Sequence, residues 1–177
     1  MRRFILTGTP GAGKTVLLRQ LERDGFSVVE EAATDVIALA QAEGVAEPWT
    51  DPSFIDDVVA LQRLRQQRAA KEAVDLQFHD RSAVCTAALA AFLGVPVSAA
   101  LADELARLER EAVFERRVFL VRNLGFIVPT EARRIGLEDA LRFERIHEET
   151  YRRHGFEIVF LEPGPLSGRV EALKRAL

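Results

Sequence analysis

Short apolar runs and longer amphipathic stretches alternate along the chain. Runs typical of buried strands occupy 4–6, 26–29, 73–78, 117–121 and 157–161. Apolar residues at helical spacing occupy 14–24, 32–43, 52–71, 83–93, 99–111, 138–154 and 167–177. Strands that alternate with helices indicate a parallel sheet covered by helices on both faces. The pattern therefore predicts one α/β domain over 1–177 with five parallel strands.

Several residues mark where the helices begin and end. Asp51 before Pro52 predicts a helix start, because proline is tolerated in the first turn. Ser167 is placed to cap the last helix, and Gly25 is placed to end the first. The stretch 123–135 shows no strand or helix pattern, so it is predicted to be a mobile loop.

A glycine-rich segment follows the first predicted strand and opens the first predicted helix. It satisfies the phosphate-loop pattern G-x-x-x-x-G-K-[ST] in full, as Gly8, Thr9, Pro10, Gly11, Ala12, Gly13, Lys14 and Thr15. Glycines let backbone N–H groups curl around a phosphate, and the helix N-terminus favours the same anion. Lys14 is expected to reach the β- and γ-phosphates of a bound nucleotide, and the Thr15 hydroxyl to ligate Mg²⁺.

A second acidic position follows the third predicted strand, in the segment His79-Asp80-Arg81. Ligands of open α/β sheets gather at the carboxyl ends of strands, so Asp80 is a candidate Mg²⁺ ligand. Arg81 is a candidate for binding a substrate or the transferring phosphoryl group. The alternatives are an Asp80 that only ends the strand or caps a helix, and a surface ion pair of Arg81.

Two carboxylates, Glu30 and Glu31, end the second predicted strand. One of them could take a proton from an attacking hydroxyl or water. Strand alternation sends the two side chains to opposite faces, and Glu31 is favoured as the base. The alternative is a pair of solvated carboxylates.

Arg133 and Arg134 lie in the loop before a charged helix. An arginine-bearing lid within 123–145 could neutralise charge in a transition state and exclude water. The alternative is a solvated pair. The arginines and glutamates that alternate along 138–154 are typical of an ion-paired helix surface.

Four other polar or aromatic residues have simpler interpretations. His79 and Cys85 are expected to pack in the core, and Trp49 is expected to pack as well, with stacking on a substrate as its alternative. Gln62 either hydrogen-bonds an acceptor substrate or faces solvent. The three histidines and one cysteine show no zinc-ligand spacing.

Composition narrows the functional class. The net charge is −3, from 24 basic and 27 acidic residues, so no nucleic-acid partner is expected. A single cysteine points to a reducing compartment. The longest apolar run, 87–93, is far shorter than a membrane span, and the N-terminus lacks a secretory apolar region. A cytoplasmic protein is therefore expected. Only three of the basic residues are lysines, and Lys14 is one of them.

Taken together, these segments resemble the small AAA-type predicted ATPases related to the ribosylnicotinamide kinase domain of bacterial NAD regulators. The resemblance covers nearly the whole chain. It is carried by 7–15, 29–33, Trp49, Phe54, Gln62, 80–82, 118–120, Arg133, Arg134, Tyr151, 155–156 and 169–170.

The resemblance implies a P-loop NTPase fold that binds ATP or GTP with Mg²⁺ under a lid that carries arginines. Most members are described as ATPases without a defined substrate, and one animal relative binds GTP and phosphoinositide. Members often carry Asp and Tyr where Cys85 and Leu89 stand here, so the resemblance carries the fold and not the acceptor. The order of elements fits a kinase-like three-layer sandwich better than a hexameric AAA machine.

The leading hypothesis is a Mg²⁺-dependent P-loop NTPase, either an ATPase or a kinase that transfers the γ-phosphoryl group of ATP to a small acceptor. In it Lys14, Glu31, Asp80, Arg81, Arg133 and Arg134 are the catalytic candidates. The alternative is a regulatory nucleotide-binding module that controls a protein or an anionic lipid, with 123–135 as its switch. The chain contains no N-K-x-D motif for guanine, which favours ATP.

Overall fold

A computed structural model describes residues 1–125 and 136–177. Its five strands are β1 (Arg2–Thr7), β2 (Ser27–Val29), β3 (Leu76–Asp80), β4 (Arg117–Val121) and β5 (Glu157–Leu161). Its helices are α1 (Lys14–Arg23), α2 (Ala33–Ala42), α3 (Phe54–Ala69), α4 (Ala83–Leu93), α5 (Ala99–Arg110), α6 (Leu137–Arg153) and α7 (Leu166–Arg175), with a 3₁₀ turn at Pro48–Thr50. In these two described ranges no helix has the length and apolar character needed to span a bilayer.

The strands form one parallel sheet in the order β2-β3-β1-β4-β5. The α/β class and the five-stranded parallel sheet predicted from the apolar runs are confirmed. β1 is central, so the loop that follows it opens between the ends of β3 and β4. This order therefore brings the carboxyl end of β3 next to the phosphate-loop segment, with β2 one strand further out.

Helices cover both faces of the sheet, which makes a three-layer sandwich. On one face α1 and α7 pack on side chains such as Phe4, Phe78 and Phe119. On the other face α3, α4 and α5 enclose a second cluster, and α6 contributes Tyr151 to a third with Ile5. Since both faces are buried, the strands are continuous apolar runs rather than alternating ones.

Most element boundaries differ from the predicted ones by a few residues, and three of these differences involve residues that were given a role. β3 runs over Leu76–Asp80 rather than 73–78, because backbone pairing with β1, including Leu6 with Asp80, extends it through two polar residues. α3 begins at Phe54, after Asp51 accepts a hydrogen bond from the Ser53 N–H. α7 begins at Leu166, so Ser167 lies inside the helix and does not cap it.

Gly8 lies close to the backbone of β4. Its φ is +133°, and a Cβ there would lie 2.4 Å from the Val121 carbonyl oxygen of β4. We expect Gly8→Ala to lower the free energy of unfolding by about 3 kcal/mol, because clash and backbone strain add. Denaturant unfolding monitored by circular dichroism measures the loss.

Gly94→Ala is the matched control for this effect. Gly94 has φ +72°, but a Cβ there meets no atom within 4 Å. Gly94→Ala should therefore lower the free energy of unfolding by about 1 kcal/mol, the strain of a left-handed backbone alone. Equal losses in the two variants would contradict the close approach of Gly8 to β4.

Candidate functional site

The phosphate-loop segment connects β1, the central strand, to α1 at the carboxyl edge of the sheet. Lys14 is 6% exposed, and its Nζ donates hydrogen bonds to the carbonyl oxygens of Gly8, at 3.0 Å, and Thr9, at 3.1 Å. The ammonium group thus lies across the loop, where the backbone and the N-terminus of α1 also favour an anion. Thr15 is exposed one position further along α1.

Burial, and after it the nearby charge of Arg81, lower the pKa of Lys14 to about 8 against the opposite pull of Asp80 and Glu31. A lysine in this state still carries most of its charge at neutral pH. It is also poorly solvated, so a phosphate would interact with it strongly.

Arg169 of α7 supports the loop from the opposite side. Its Nη2 donates to the Ala12 carbonyl oxygen at 3.1 Å, and its Nη1 lies 3.0 Å from the position that a Cβ on Gly13 would take. The side chain is 7% exposed, and burial lowers its pKa. Sequence reasoning noted Arg169 only within the family resemblance, because its contact with Ala12 spans 157 residues.

Asp80 ends β3 beside the loop. It is 8% exposed, and its Oδ1 is buried without a hydrogen-bond partner in the described parts of the chain. Burial raises the pKa of this carboxyl, and the charge of Lys14 opposes the rise. Asp80 pairs with Leu6 of β1, the strand that leads into the phosphate loop. A buried carboxylate oxygen with unused acceptor capacity at this place suits Mg²⁺, which takes few protein ligands and completes its shell with phosphate and water.

Glu31 and Arg81 form an ion pair, and both charges act on the neighbouring Lys14 and Asp80. The Arg81 Nε lies 2.5 Å from a Glu31 carboxylate oxygen, and the Arg81 side chain is only 9% exposed. The Glu30 side chain is exposed and pairs instead with Arg19 of α1, while the residue itself lines the cleft described below. Of the two carboxylates, Glu31 is the one that pairs with Arg81.

The charges around Glu31 decide its protonation state. Burial alone would raise the pKa of this carboxyl, but the positive charges of Arg81 and Lys14 outweigh it and hold the pKa at about 2. Glu31 is therefore ionised throughout the neutral range and can accept a proton or a hydrogen bond from a substrate hydroxyl.

A polar cleft, named for its mainly polar lining residues, opens to solvent between Arg81, α3 and α5; its volume of about 340 Å³ includes open solvent. Gln62 and Gln66 line it from α3. The Gln62 carbonyl accepts from the Thr86 hydroxyl at 2.9 Å, and the Gln66 carbonyl accepts from Arg107 at 2.9 Å. Since both amide oxygens are occupied, the two side chains have their NH₂ groups left to offer a ligand.

His79 lies in the wall of the same cleft, 3% exposed, with its ring edge-on to Phe114 at 4.9 Å. Burial lowers its pKa to about 3, with a smaller contribution from Arg3. It is thus neutral, and its core location matches the expectation from sequence.

The other candidate residues either pack against the core or lie in the segment that the structure does not describe. Trp49 packs against the cluster under α3, as expected. Arg133 and Arg134 lie outside the described residues, as does most of the predicted loop. On α6 the predicted surface ion pairs include Arg152 with Glu148, but Glu148 and Glu144 also bind Arg122, which directly follows β4.

Two residues next to Arg81 were missed as part of the site. Cys85 is buried as expected, yet its sulfur contacts Arg81, and His147 of α6 contacts both. Nothing in the local sequence around His147 signals this contact, because 62 residues separate it from Cys85.

Solved structures of phosphoryl-transfer proteins share this fold. Deoxyadenosine kinase from M. mycoides, with dCMP and a flexible dCDP bound, is 14% identical with a TM-score of 0.61, covering 98% of this chain and 97% of that one. NadR in complex with NAD and AMP-PNP is 18% identical with a TM-score of 0.70, and NadR in complex with NR is 18% identical with a TM-score of 0.65.

The NadR comparisons cover 98% of this chain but 49% and 51% of those chains, so this chain spans about half their length. No curated protein sequence matches the chain significantly. A family model described as "AAA domain" matches residues 3–169, which include the phosphate loop, Glu31, Asp80 and Arg81. The kinase-like P-loop fold and this match together show that the chain belongs to the AAA domain family of P-loop NTPases.

Proposed function

We propose that this protein is a Mg²⁺-dependent kinase that transfers the γ-phosphoryl group of ATP to a hydroxyl of a small acceptor of the nucleoside class. The observation that carries the proposal is the ion pair of Glu31 with Arg81, held between the phosphate loop and the polar cleft. A proton acceptor and a phosphate-binding guanidinium are thus adjacent at the carboxyl edge of the sheet. A protein that only binds a nucleotide needs neither in that place.

The donor half of the site follows from the loop. Lys14 and the loop N–H groups hold the β- and γ-phosphates, while Arg169 keeps the loop backbone in place through Ala12. Thr15 and Asp80 are the groups that would hold Mg²⁺, which when bound neutralises phosphate charge and orients the γ-phosphoryl group.

The acceptor half follows from the cleft. The acceptor oxygen attacks the γ-phosphorus, the bond from that phosphorus to the β–γ bridging oxygen breaks, and ADP leaves with the electron pair. Glu31 accepts the proton of the attacking hydroxyl and later returns it to solvent. Arg81 stabilises the charge on the transferring oxygens.

The acceptor class is inferred from the cleft and from the relatives. Gln62 and Gln66 present amide NH₂ groups, which suit a ligand with carbonyl or ring-nitrogen acceptors. The structurally similar proteins are a deoxyadenosine kinase and NadR, which is complexed with NR. A nucleoside fits both observations.

The experiment is a coupled ADP-release assay of the purified protein with ATP and Mg²⁺ across a panel of ribo- and deoxynucleosides and nicotinamide riboside. We expect one nucleoside to raise ATP consumption saturably above the rate with water, and mass spectrometry to find the monophosphate. Tight nucleotide binding with turnover near once per many minutes and no response to any acceptor would instead support the regulatory module.

The lowered pKa of Lys14 gives a prediction for nucleotide binding. The ammonium form binds phosphate, and its pKa in the free protein is about 8. A bound polyphosphate raises that pKa, so binding above pH 8 must take up a proton and weaken by about tenfold per pH unit. Below pH 7 this group should leave the affinity unchanged.

Calorimetric titration with a non-hydrolysable ATP analogue at pH 6.5, 7.5, 8.5 and 9.5 measures this dependence. Buffers of different ionisation enthalpy give the number of protons taken up. An affinity that stays constant to pH 9.5 would show that Lys14 does not titrate where its burial places it.

A further inference from the structure

Arg81, Cys85 and His147 form a buried cluster. Arg81 meets this cluster through Nη1, whereas it pairs with Glu31 through Nε. The Arg81 Nη1 lies 3.0 Å from the Cys85 sulfur and 3.4 Å from the His147 Nε2, and the sulfur lies 3.1 Å from the same Nε2. Cys85 is 3% exposed and His147 is fully buried. The cluster joins the start of α4 to the middle of α6.

The orientation of the His147 ring is set by its own helix. Its Nδ1 lies 2.8 Å from the Phe143 carbonyl oxygen, which can only accept, so Nδ1 carries a proton. The Phe143 ring packs 4.2 Å away. Nε2 therefore faces the Cys85 sulfur, and one proton is shared between sulfur and nitrogen.

Arg81 is held on two sides by different partners. Glu31, two residues after β2, pairs with Nε, and Cys85 of α4 contacts Nη1. The backbone of Arg81 has φ +73°, a left-handed conformation that costs a non-glycine residue energy, and its N–H donates to the Leu6 carbonyl oxygen at 2.9 Å. Two side-chain anchors on a planar guanidinium fix its plane and leave Nη2 to meet a ligand.

We propose that Cys85 and His147 are positioning residues that share one proton and hold the Arg81 guanidinium in the orientation required for phosphoryl transfer. This inference rests on the proposed function. A sulfur with thiolate character accepts a charge-assisted hydrogen bond from Arg81, which a neutral thiol does only weakly. The proton shared with the His147 Nε2 ties that sulfur to α6.

The other charges around the cluster support this ionisation state. Burial alone would raise the pKa of the Cys85 thiol, but the charges of Arg81 and His147 lower it to about 6. Glu31 offsets part of the positive charge of Arg81. Tyr151 faces the cluster from α6 and stays neutral, because burial and the Cys85 charge raise its pKa.

The first experiment measures the thiolate directly. Cys85 is the only cysteine of the chain, so absorbance at 240 nm reports on it alone, with Cys85→Ala as the baseline. We expect half-ionisation well below the ordinary thiol pKa of about 8.5. Arg81→Gln and His147→Gln should each raise that midpoint by about one pH unit or more. Arg68→Gln, on an exposed position of α3, is the matched control and should leave it unchanged.

The second experiment measures the positioning role in the nucleoside kinase assay. We expect Cys85→Ala to lower kcat by about 10- to 100-fold, because a misplaced guanidinium loses alignment with the phosphoryl group. Affinity for the ATP analogue and the unfolding midpoint should stay close to wild type. Cys85→Ser keeps an acceptor for Arg81 and should recover part of the loss.

The possible outcomes distinguish a failure of this inference from a failure of the proposed function on which it rests. A wild-type thiol that titrates near 8.5 and ignores Arg81→Gln overturns the inference, as does full kcat in Cys85→Ala. Absence of transfer by wild type to every acceptor refutes the proposed function instead. In that case the 240 nm titration alone decides whether a thiolate holds Arg81.

Discussion

Lys14→Ala is expected to reduce acceptor-dependent ATP turnover by about 100- to 1,000-fold and to weaken nucleotide binding. Lys14 is the buried cation of the phosphate loop, hydrogen-bonded to the Gly8 and Thr9 carbonyl oxygens. Removal of one preorganised donor from a site of low dielectric costs about 2.7–4 kcal/mol in a transition state. Calorimetry with an ATP analogue and the ADP-release assay measure the two effects.

Lys71→Ala is the control for general charge. Lys71 is exposed beyond the end of α3, and its loss changes net charge by the same unit. It should leave both binding and turnover unchanged. Equal nucleotide affinity in wild type and Lys14→Ala would mean that the loop does not bind phosphate.

The parts of the site that sequence reasoning located are those encoded in contiguous residues. The phosphate loop needs its glycines, lysine and threonine in one order, so the motif alone specifies backbone, cation and hydroxyl. The strand ends could be located to within a few residues as well, because the apolar runs stop close to the edge of the sheet. Asp80 and Glu31 were placed at that edge for this reason.

The exact end of β3 could not be predicted from hydrophobicity. His79 and Asp80 are polar, yet both belong to the strand, because β1 supplies backbone hydrogen bonds to its parallel neighbour. Pairing partners are a property of the folded sheet. A pattern of single residues therefore ends the strand too early.

The contacts of Cys85 and His147 with Arg81 could not be predicted, for a related reason. Cys85 was correctly predicted to be buried, but burial did not reveal that a guanidinium and an imidazole meet its sulfur. His147 lies on α6, whose alternating charges suggested only a surface. Such contacts depend on how α4 and α6 pack, and one sequence contains no record of that packing.

Glu31→Gln is expected to lower kcat for acceptor phosphorylation by about 100- to 10,000-fold, the usual contribution of a positioned proton acceptor. The amide cannot accept the proton, although it keeps the size of the side chain and can still meet Arg81. Nucleotide affinity should change little, because Lys14 and the loop backbone bind the phosphates. Since the Glu31 pKa is about 2, the wild-type rate should show no loss of this base between pH 8 and pH 5.

Glu30→Gln provides an internal comparison one residue away. Glu30 is exposed and pairs with Arg19, so its neutralisation removes the same charge from the same strand end without removing the carboxylate that pairs with Arg81. It should retain wild-type kcat. If the two variants lose activity equally, the effect is one of overall charge at the end of β2. If Glu31→Gln keeps full activity, proton acceptance must be assigned to another group. The ion pair with Arg81 then serves only to hold the guanidinium.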